Sequence, residues 1–375
     1  MPEAATAFYD RRMHERSHVS LAELTTIGLG GPAKRLIDID DETELEQVLG
    51  ELANESDEVF ILGGGSNVIV SDGGWPGTVI RPAFRRFDAT KEGCEVLLHL
   101  GAGEVWDDVV RECVQRRWAG VSCLSGIPGW VGASPIQNIG AYGTELSQVL
   151  VEVHAFDRDA KRHVIFPAAD CALGYRSSRF RGNARHVIEK VVLRLRADGG
   201  DIIRYPELAR SLGVREGASV NPAEVREAVL ELRRGKGMVV DPRDTESRSA
   251  GSYFVNPIID AQALQRLEAR ALELGIVTEA GLVPRYPNPD GRFKVPAAWL
   301  IEKAGFHKGM TVGGVGISKK HALALVNRGG ATSDLLRLEA SIFHRVMDRF
   351  GVRLQREPIF VGEEMEDTPK SCAGP

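Results

Sequence analysis

Residues 125–143 read SGIPGWVGASPIQNIGAYG. The stretch holds five glycines, two prolines and no charged residue, four residues after the charged segment EVWDDVVRECVQRRWAG at 104–120. It could be a flexible linker, a buried irregular loop of the core, or a cradle for a bulky bound group. Flexible linkers are rich in glycine and serine and carry few large apolar side chains. This stretch carries Ile127, Trp130, Val131, Ile136 and Ile139, which favour burial. A buried core loop would have to find protein partners for many backbone amides and carbonyls. A bound group would supply them.

Upstream, GGGSN at 63–67 lies between the apolar runs VFIL (59–62) and VIV (68–70), which reads as strand, glycine turn, strand. Glycine reaches the positive φ angles that aim successive N–H groups at one point, and such a nest binds phosphate. A plain tight turn has the same composition. Neither glycine run is a usual nucleotide fingerprint: there is no G-x-x-x-x-G-K-[ST], and no G-x-G-x-x-G opening a helix. A long neutral groove together with an anion nest suits a flat aromatic ring with a phosphate tail, as in flavin adenine dinucleotide (FAD).

Composition sets the class around these loops. At 375 residues the chain has room for two or three domains, taking about 150 residues per domain as a soft prior. A formal net charge of −5 argues against broad nucleic-acid binding, which shows a basic stripe. No run approaches the ~18 apolar residues of a membrane span, and the N-terminus MPEAATAFYDRRMHERSHVS lacks the apolar core of a signal peptide. The cysteines (Cys94, Cys113, Cys123, Cys171, Cys372) are odd in number and never in a C-x-x-C pair. That suits reduced thiols in a cytoplasmic protein, and the dispersed histidines give no metal site.

The periodicity alternates between helix and strand. DETELEQVLGELAN (41–54) puts Leu45, Val48, Leu49 and Leu52 on one helical face, with Asp40 or Asp41 as cap. Residues 104–118 read as a helix, DRDAK as the turn of a hairpin, and HVIEKVVLRLRA (186–197) as a strand with one wet face. NPAEVREAVLELRRGKG opens with Asn221 as cap and Pro222 in the first turn, and stops at Gly235. A polar connector (241–251) precedes three more helical patterns. HALALVN reads as a buried strand, VRLQREPIFVG as a closing strand pair, and EEMEDTPKSCAGP as a disordered tail. The fold class is α+β, with a domain change around 235–240.

Six segments carry a resemblance. LTTIGLGGPA (24–33), ILGGGSNVIVSD, SGIPGWVGASPIQNIGAYG, LGYRSSRF, GSYFVNP and REPIFVG occur in the order seen in UDP-N-acetylenolpyruvoylglucosamine reductases, also called UDP-N-acetylmuramate dehydrogenases, and span roughly residues 20–362. The resemblance implies a two-lobed FAD-binding fold of the vanillyl-alcohol-oxidase type plus a smaller α+β substrate-binding domain. The implied boundaries are 1–80 and 81–237 for the two lobes, 238–351 for the substrate domain, and 352–375 for a return strand and tail. It also implies FAD and NADPH as cofactors and reduction of UDP-N-acetylglucosamine enolpyruvate to UDP-N-acetylmuramate, a peptidoglycan precursor. A monomer acting on a small molecule, with no nucleic-acid or membrane partner, is the expectation. YPEL (205–208) points to the subclass with a tyrosine-bearing substrate loop. The alternative is another noncovalent FAD oxidoreductase of this fold, an alcohol or hydroxy-acid oxidase.

Reducing an enol ether, CH2=C(OR)–COO⁻, takes hydride at the CH2 carbon and a proton at the carbon bearing the carboxylate. Hydride addition drives negative charge toward an existing anion, so cationic groups and a proton donor are required. By resemblance, Arg176 stabilises the enolate, Ser252 is the proton donor, and Glu357 is the catalytic glutamate near the C-terminus. From the residues alone, Arg176 is an ordinary arginine, Ser252 a turn serine and Glu357 a solvent-facing strand residue. The implied FAD wall comprises Gly63, Gly64, Gly65, Ser66 and Asn67 with Ser125, Gly126, Ile127, Pro128, Gly129, Gly132, Ala133, Gln137, Asn138, Gly140, Ala141, Tyr142 and Gly143. Implied substrate contacts are Tyr205, Lys236, Asn256, Tyr286 and Lys308; an exposed turn tyrosine before Pro206 would look the same as the first. Two positions depart from the family pattern: His321 stands where some members carry glutamine, and Ile359 where some carry arginine.

Overall fold

In the computed structural model, residues 15–55, 57–288 and 290–363 are described. The tail expected from Glu363 lies outside them from 364 onward, Cys372 included. Asp41 caps helix α1 (Glu42–Glu55), its Oδ1 accepting from the Thr43 and Glu44 amides. The helix packs Leu45, Val48, Leu49 and Leu52 against Ile37, Ile39 and Ile80 of a four-stranded sheet. Its strands lie in the order Glu15–Ser20, Pro32–Ile39, Trp75–Pro82, Val59–Ile61. The first pairing is antiparallel and the others parallel.

A larger antiparallel sheet follows, ordered Arg162–Pro167, Leu150–Asp157, His186–Ala197, Glu95–Gly101, Phe87–Glu92, with Trp118–Ala119 also on the 186–197 strand. Helix α2 (Trp106–Gln115) seats Trp106, Val109 and Cys113 on it. The hairpin around DRDAK forms as read. The 186–197 strand departs from its one-wet-face reading. Strands flank it on both sides, and residues 187–189 and 191–193 are all buried; only Arg194 and Arg196 face water. The cause is packing on both faces: Val187 joins the α1 core, while Ile188, Val191 and Leu193 join the α2 core. A register shift between Lys190 and Ile188 lets one strand serve both.

Helices α3 (Pro206–Leu212) and α4 (Pro222–Gly235) form a small satellite core with Ile203 and Cys123. Asn221 and Pro222 start α4 as read, Asn221 Oδ1 accepting from the Ala223 amide at 2.9 Å. Beyond the connector, α5 (Ala261–Glu273), α6 (Ala297–Lys303) and α7 (Thr332–Phe350) bury their apolar faces over three short sheets. That core also takes in Ile27, Leu29 and Ile69 from the start of the chain. HALALVN forms a strand only at Leu325–Asn327; His321 to Ala324 is a turn closed by the Ala324 amide on the His321 carbonyl.

The closing strands do not pair with each other, as the sequence had suggested. Gln355–Arg356 runs antiparallel to Phe254–Val255, and Ile359–Val361 runs parallel to Val68–Val70. Pro358 between them has no amide to donate, and the chain changes sheet there. This crossing leaves Glu357 between the GSYFVNP segment and the strand leaving GGGSN.

Candidate active site

The two glycine loops meet backbone to backbone. A Cβ on Gly64 would lie 2.7 Å from Gly129 Cα, so neither loop has room for a side chain at their crossing. Behind them LTTIGLGG forms a shelf: the Thr26 amide donates to the Gly65 carbonyl at 3.1 Å. Gly65 sits at φ +62°, where a Cβ would fall 1.8 Å from the Leu24 carbonyl oxygen. The resulting cavity, about 240 Å³, is lined by Gly63, Gly64, Gly65, Ser66 and Asn67 from one loop. Ile127, Pro128, Ala133, Gln137 and Gly140 line it from the other, and Arg176, Ser252 and Glu357 border the same space. A second cavity of about 370 Å³ shares Phe60, Gly63, Trp130, Ala133 and Ile359 with it and adds Gly132.

FAD fits these walls on two observations. Among the described residues, none of the five amides from Gly63 to Asn67 donates a hydrogen bond to the protein, which leaves a nest of donors for a pyrophosphate. Gly63, Gly64 and Gly65 also put bare backbone, with no side chain in the way, on the cavity wall. The remaining residues expected in the cofactor wall line neither cavity. Ser125 donates to the Ser122 carbonyl, and the Gly126 amide donates to Asp107. Asn138 bridges Glu145, Gly174 and the Ser147 amide. Gly129 makes the loop crossing, Ala141 lies in the short strand Gly140–Ala141, and Tyr142 and Gly143 pack toward Tyr205. These residues hold the wall from behind.

Arg176, Ser252 and Glu357 come from three separate segments. Arg176 Nε lies 2.8 Å from Glu357 Oε1, with both side chains mostly buried. The Nε–H is turned off the line to the oxygen, so the contact is ionic rather than a formed hydrogen bond. Arg176 Nη2 donates to the Gly140 carbonyl at 3.2 Å. Burial pushes the Glu357 carboxyl above its ordinary range, while Arg176 and Arg181 pull it partway back. Arg176 adopts φ +52°, a conformation that costs a non-glycine residue about 1–3 kcal/mol. Arg181 clamps it there, donating to the Arg176 carbonyl and, at 3.1 Å, to the Glu357 carbonyl. The Glu357 amide donates to the Tyr253 carbonyl, next to Ser252. The Ser252 hydroxyl borders the cavity and, among the described residues, has no protein hydrogen-bond partner.

The expected substrate contacts lie outside this enclosed space. Lys236 follows Arg233 on the same turn, and Arg233 and Met238 do line the cavity. Tyr205 stands edge-on to Tyr142 at 5.6 Å, and the Lys236 Nζ sits 5.6 Å from the Tyr142 ring centre. Lys236 pairs with Glu207. Tyr205 and Tyr286 are both exposed, at 42% and 58%. Asn256 accepts from the Ala297 amide and donates to the Tyr175 hydroxyl at 3.4 Å. Lys308 is exposed, and with Lys236 it bears on His321.

Several neighbours of the site were not singled out from the sequence. Tyr175, beside Arg176 in LGYRSSRF, has Lys294 Nζ 4.9 Å from its ring centre, and burial raises its hydroxyl pKa. Its place in that motif was a usable signal; Lys294 carried none. Arg233 is another, with a buried Nε that has no partner. In the second cavity His186 presents a buried, partnerless Nδ1. Neither cavity is lined by a cysteine, and the first has no histidine.

Residues 33–165 match a family of FAD binding domains, and residues 241–361 match the UDP-N-acetylenolpyruvoylglucosamine reductase C-terminal domain. The chain is 48% identical to a UDP-N-acetylenolpyruvoylglucosamine reductase of Thermobifida fusca (strain YX), over 92% of this chain and 97% of that protein. It is 45% identical to the enzyme of that name from Streptomyces avermitilis, over 94% and 96%. The crystal structure of UDP-N-acetylenolpyruvylglucosamine reductase from Thermus caldophilus shares the fold, with a TM-score of 0.61 over 93% of this chain and 98% of that one, at 23% identity.

Proposed function

This chain belongs to the UDP-N-acetylenolpyruvoylglucosamine reductase family, and we propose on that premise that Arg176, Ser252 and Glu357 carry its chemistry. The protein is an FAD-dependent oxidoreductase that uses NADPH to reduce UDP-N-acetylglucosamine enolpyruvate to UDP-N-acetylmuramate. The observation supporting the residue assignment is the convergence of all three side chains on the cavity walled by both glycine loops.

The amides of Gly63 to Asn67 would hold the pyrophosphate of FAD, and the neutral wall from Ile127 to Gly140 would hold its ring. When bound, FAD supplies to the CH2 carbon of the substrate the hydride that NADPH provides. Arg176 holds the enolpyruvyl carboxylate through its fork of donors and offsets the charge that builds there. It keeps its own charge throughout. Ser252 Oγ gives its proton to the carbon bearing the carboxylate; a hydroxyl is a weak acid, but the enolate is a strongly basic acceptor. Glu357 opposes that anion when ionised, so its burial, which favours the neutral form, suits it to donate a hydrogen bond to the enolate oxygens.

At the approach, Lys236 and Asn256 make polar contacts to the UDP-sugar, Lys236 as a point charge on its diphosphate, Tyr205 touches the diphosphate, and Tyr286 and Lys308 face the uridine and diphosphate region. We assign residues 1–80 and 81–237 to the two FAD lobes, 238–351 to the substrate domain, and 352–375 to the return strand and tail. The working form is a cytoplasmic monomer without nucleic-acid or membrane partners. Among the described residues no helix is long and apolar enough to cross a membrane. The test is anaerobic: reduce the flavin-loaded protein with NADPH, add UDP-N-acetylglucosamine enolpyruvate, and follow the flavin absorbance. Recovery of the oxidised spectrum is expected. A spectrum that stays bleached overturns the substrate assignment.

A further inference from the structure

Lys236 is engaged before any ligand arrives. Its Nζ donates to Glu207 Oε2 at 2.6 Å, and the two side chains are 32% and 33% exposed. The partners come from different elements: Glu207 lies in the first turn of α3, and Lys236 is the C-terminal cap of α4. Tyr142 and Tyr205 stack edge to face beside them. His321, half-buried nearby, uses Nδ1 to accept the Leu323 amide at 3.1 Å, so its ring is neutral with the proton on Nε2. Its pKa is pushed down to about 4, first by burial and then by Lys236 and Lys308, with Glu207 opposing. One carboxylate and two lysines therefore share this corner, with the carboxylate bonded to one of the lysines.

A carboxylate offers a lysine what a phosphate offers, an anionic oxygen acceptor at hydrogen-bond distance. We propose that Glu207 is an internal stand-in for the substrate's diphosphate, holding Lys236 in the free enzyme and giving way to the diphosphate on binding. The proposal rests on the reading of Lys236 as a diphosphate contact. Binding is then an exchange: the Lys236–Glu207 pair breaks, a Lys236–phosphate pair forms, and Glu207 returns to water. Glu207 thereby lowers nucleotide affinity by the strength of its own pair, and it keeps the lysine ordered and neutralised while the site is empty.

The experiment titrates flavin-loaded protein with UDP by calorimetry in wild type, Glu207→Gln, Lys236→Gln and the double variant. Glu207→Gln should tighten UDP binding about two- to fivefold, the range for a partly exposed ion pair. Glu207→Ala should act in the same direction. In the Lys236→Gln background, Glu207→Gln should change nothing. Unchanged or weaker UDP binding in Glu207→Gln, with wild type binding normally, overturns displacement and leaves Glu207 a prop for Lys236. Tightening that persists in the Lys236→Gln background also overturns it, since Glu207 would then act by general repulsion. If wild type does not bind UDP, the nucleotide reading beneath the proposal fails instead.

Discussion

Ser252→Ala separates proton donation from every other contribution of that residue. The Ser252 hydroxyl has no protein hydrogen-bond partner among the described residues, while backbone bonds hold both of its neighbours. The Gly251 amide donates to Ser249 Oγ at 3.2 Å, and the Tyr253 amide donates to the Leu323 carbonyl at 2.7 Å. Removing Oγ breaks none of these bonds and leaves Gly251 free to keep its φ of +75°. The unfolding free energy should therefore move by no more than about 0.5 kcal/mol. Proton transfer from a positioned group is worth about 10²- to 10⁴-fold, or roughly 2.7–5.5 kcal/mol of barrier. Stopped-flow measurement of the two half-reactions distinguishes the steps. NADPH should reduce the bound flavin at the wild-type rate, and the enolpyruvyl substrate should reoxidise it about 10²- to 10⁴-fold more slowly. Reoxidation at the wild-type rate would refute the assignment of Ser252 as donor. A drop in melting temperature of several degrees would instead show that the hydroxyl has a structural role.

Arg181→Met removes the clamp on the Arg176 and Glu357 carbonyls. It should cost about 1–3 kcal/mol of stability in chemical unfolding, and it should slow reoxidation while sparing reduction by NADPH. Gly64→Ala forces the two glycine loops apart at a 2.7 Å contact. Overpacking of about 1–3 kcal/mol should weaken FAD on the order of ten- to hundredfold, read as the flavin-to-protein absorbance ratio after dialysis. For Glu357 the sign follows from burial: its folded pKa is raised, so the neutral form persists to higher pH than in an exposed glutamate. The reoxidation rate should accordingly fall as pH rises through that raised value. Glu357→Gln, which cannot ionise, should be slower but should lack that limb of the profile.

Much of the cavity wall was legible because its signal is local. GGGSN between apolar runs and a neutral, glycine-rich stretch with five large apolar residues announce themselves in composition. Composition does not say which side of a loop faces a cavity: Ser125, Asn138 and Tyr142, expected in the cofactor wall, line neither cavity and bond or stack on neighbouring backbone and side chains. Arg233 was missed for a related reason. At the end of α4 it sits beside Arg234 in a charged run, yet Arg233 lines the cavity while Arg234 is exposed. The 186–197 strand was misread because burial of its second face depends on α1 and the four-stranded sheet, which alternation within the strand does not encode.

The meeting of Arg176, Ser252 and Glu357 was legible only through motif resemblance, and the fold shows why spacing could not reveal it. It depends on the C-terminal chain changing partners at Pro358, from Phe254–Val255 to Val68–Val70. Glu357 sits at that change, and its backbone is fixed from three directions. Its amide donates to the Tyr253 carbonyl, tying it to the Ser252 segment. Its carbonyl accepts from Gln137 Nε2 in the cofactor wall and from Arg181 behind Arg176, each at 3.1 Å. Two residues on, the Ile359 amide donates to the Asn67 carbonyl in the phosphate nest. The relative positions of Arg176, Ser252 and Glu357 and of the two glycine loops are thus set by hydrogen bonds to the main chain around one residue, independently of the Arg176–Glu357 side-chain contact. A change to the Glu357 side chain should therefore alter the chemistry and leave the geometry intact, whereas loss of Arg181 should alter both.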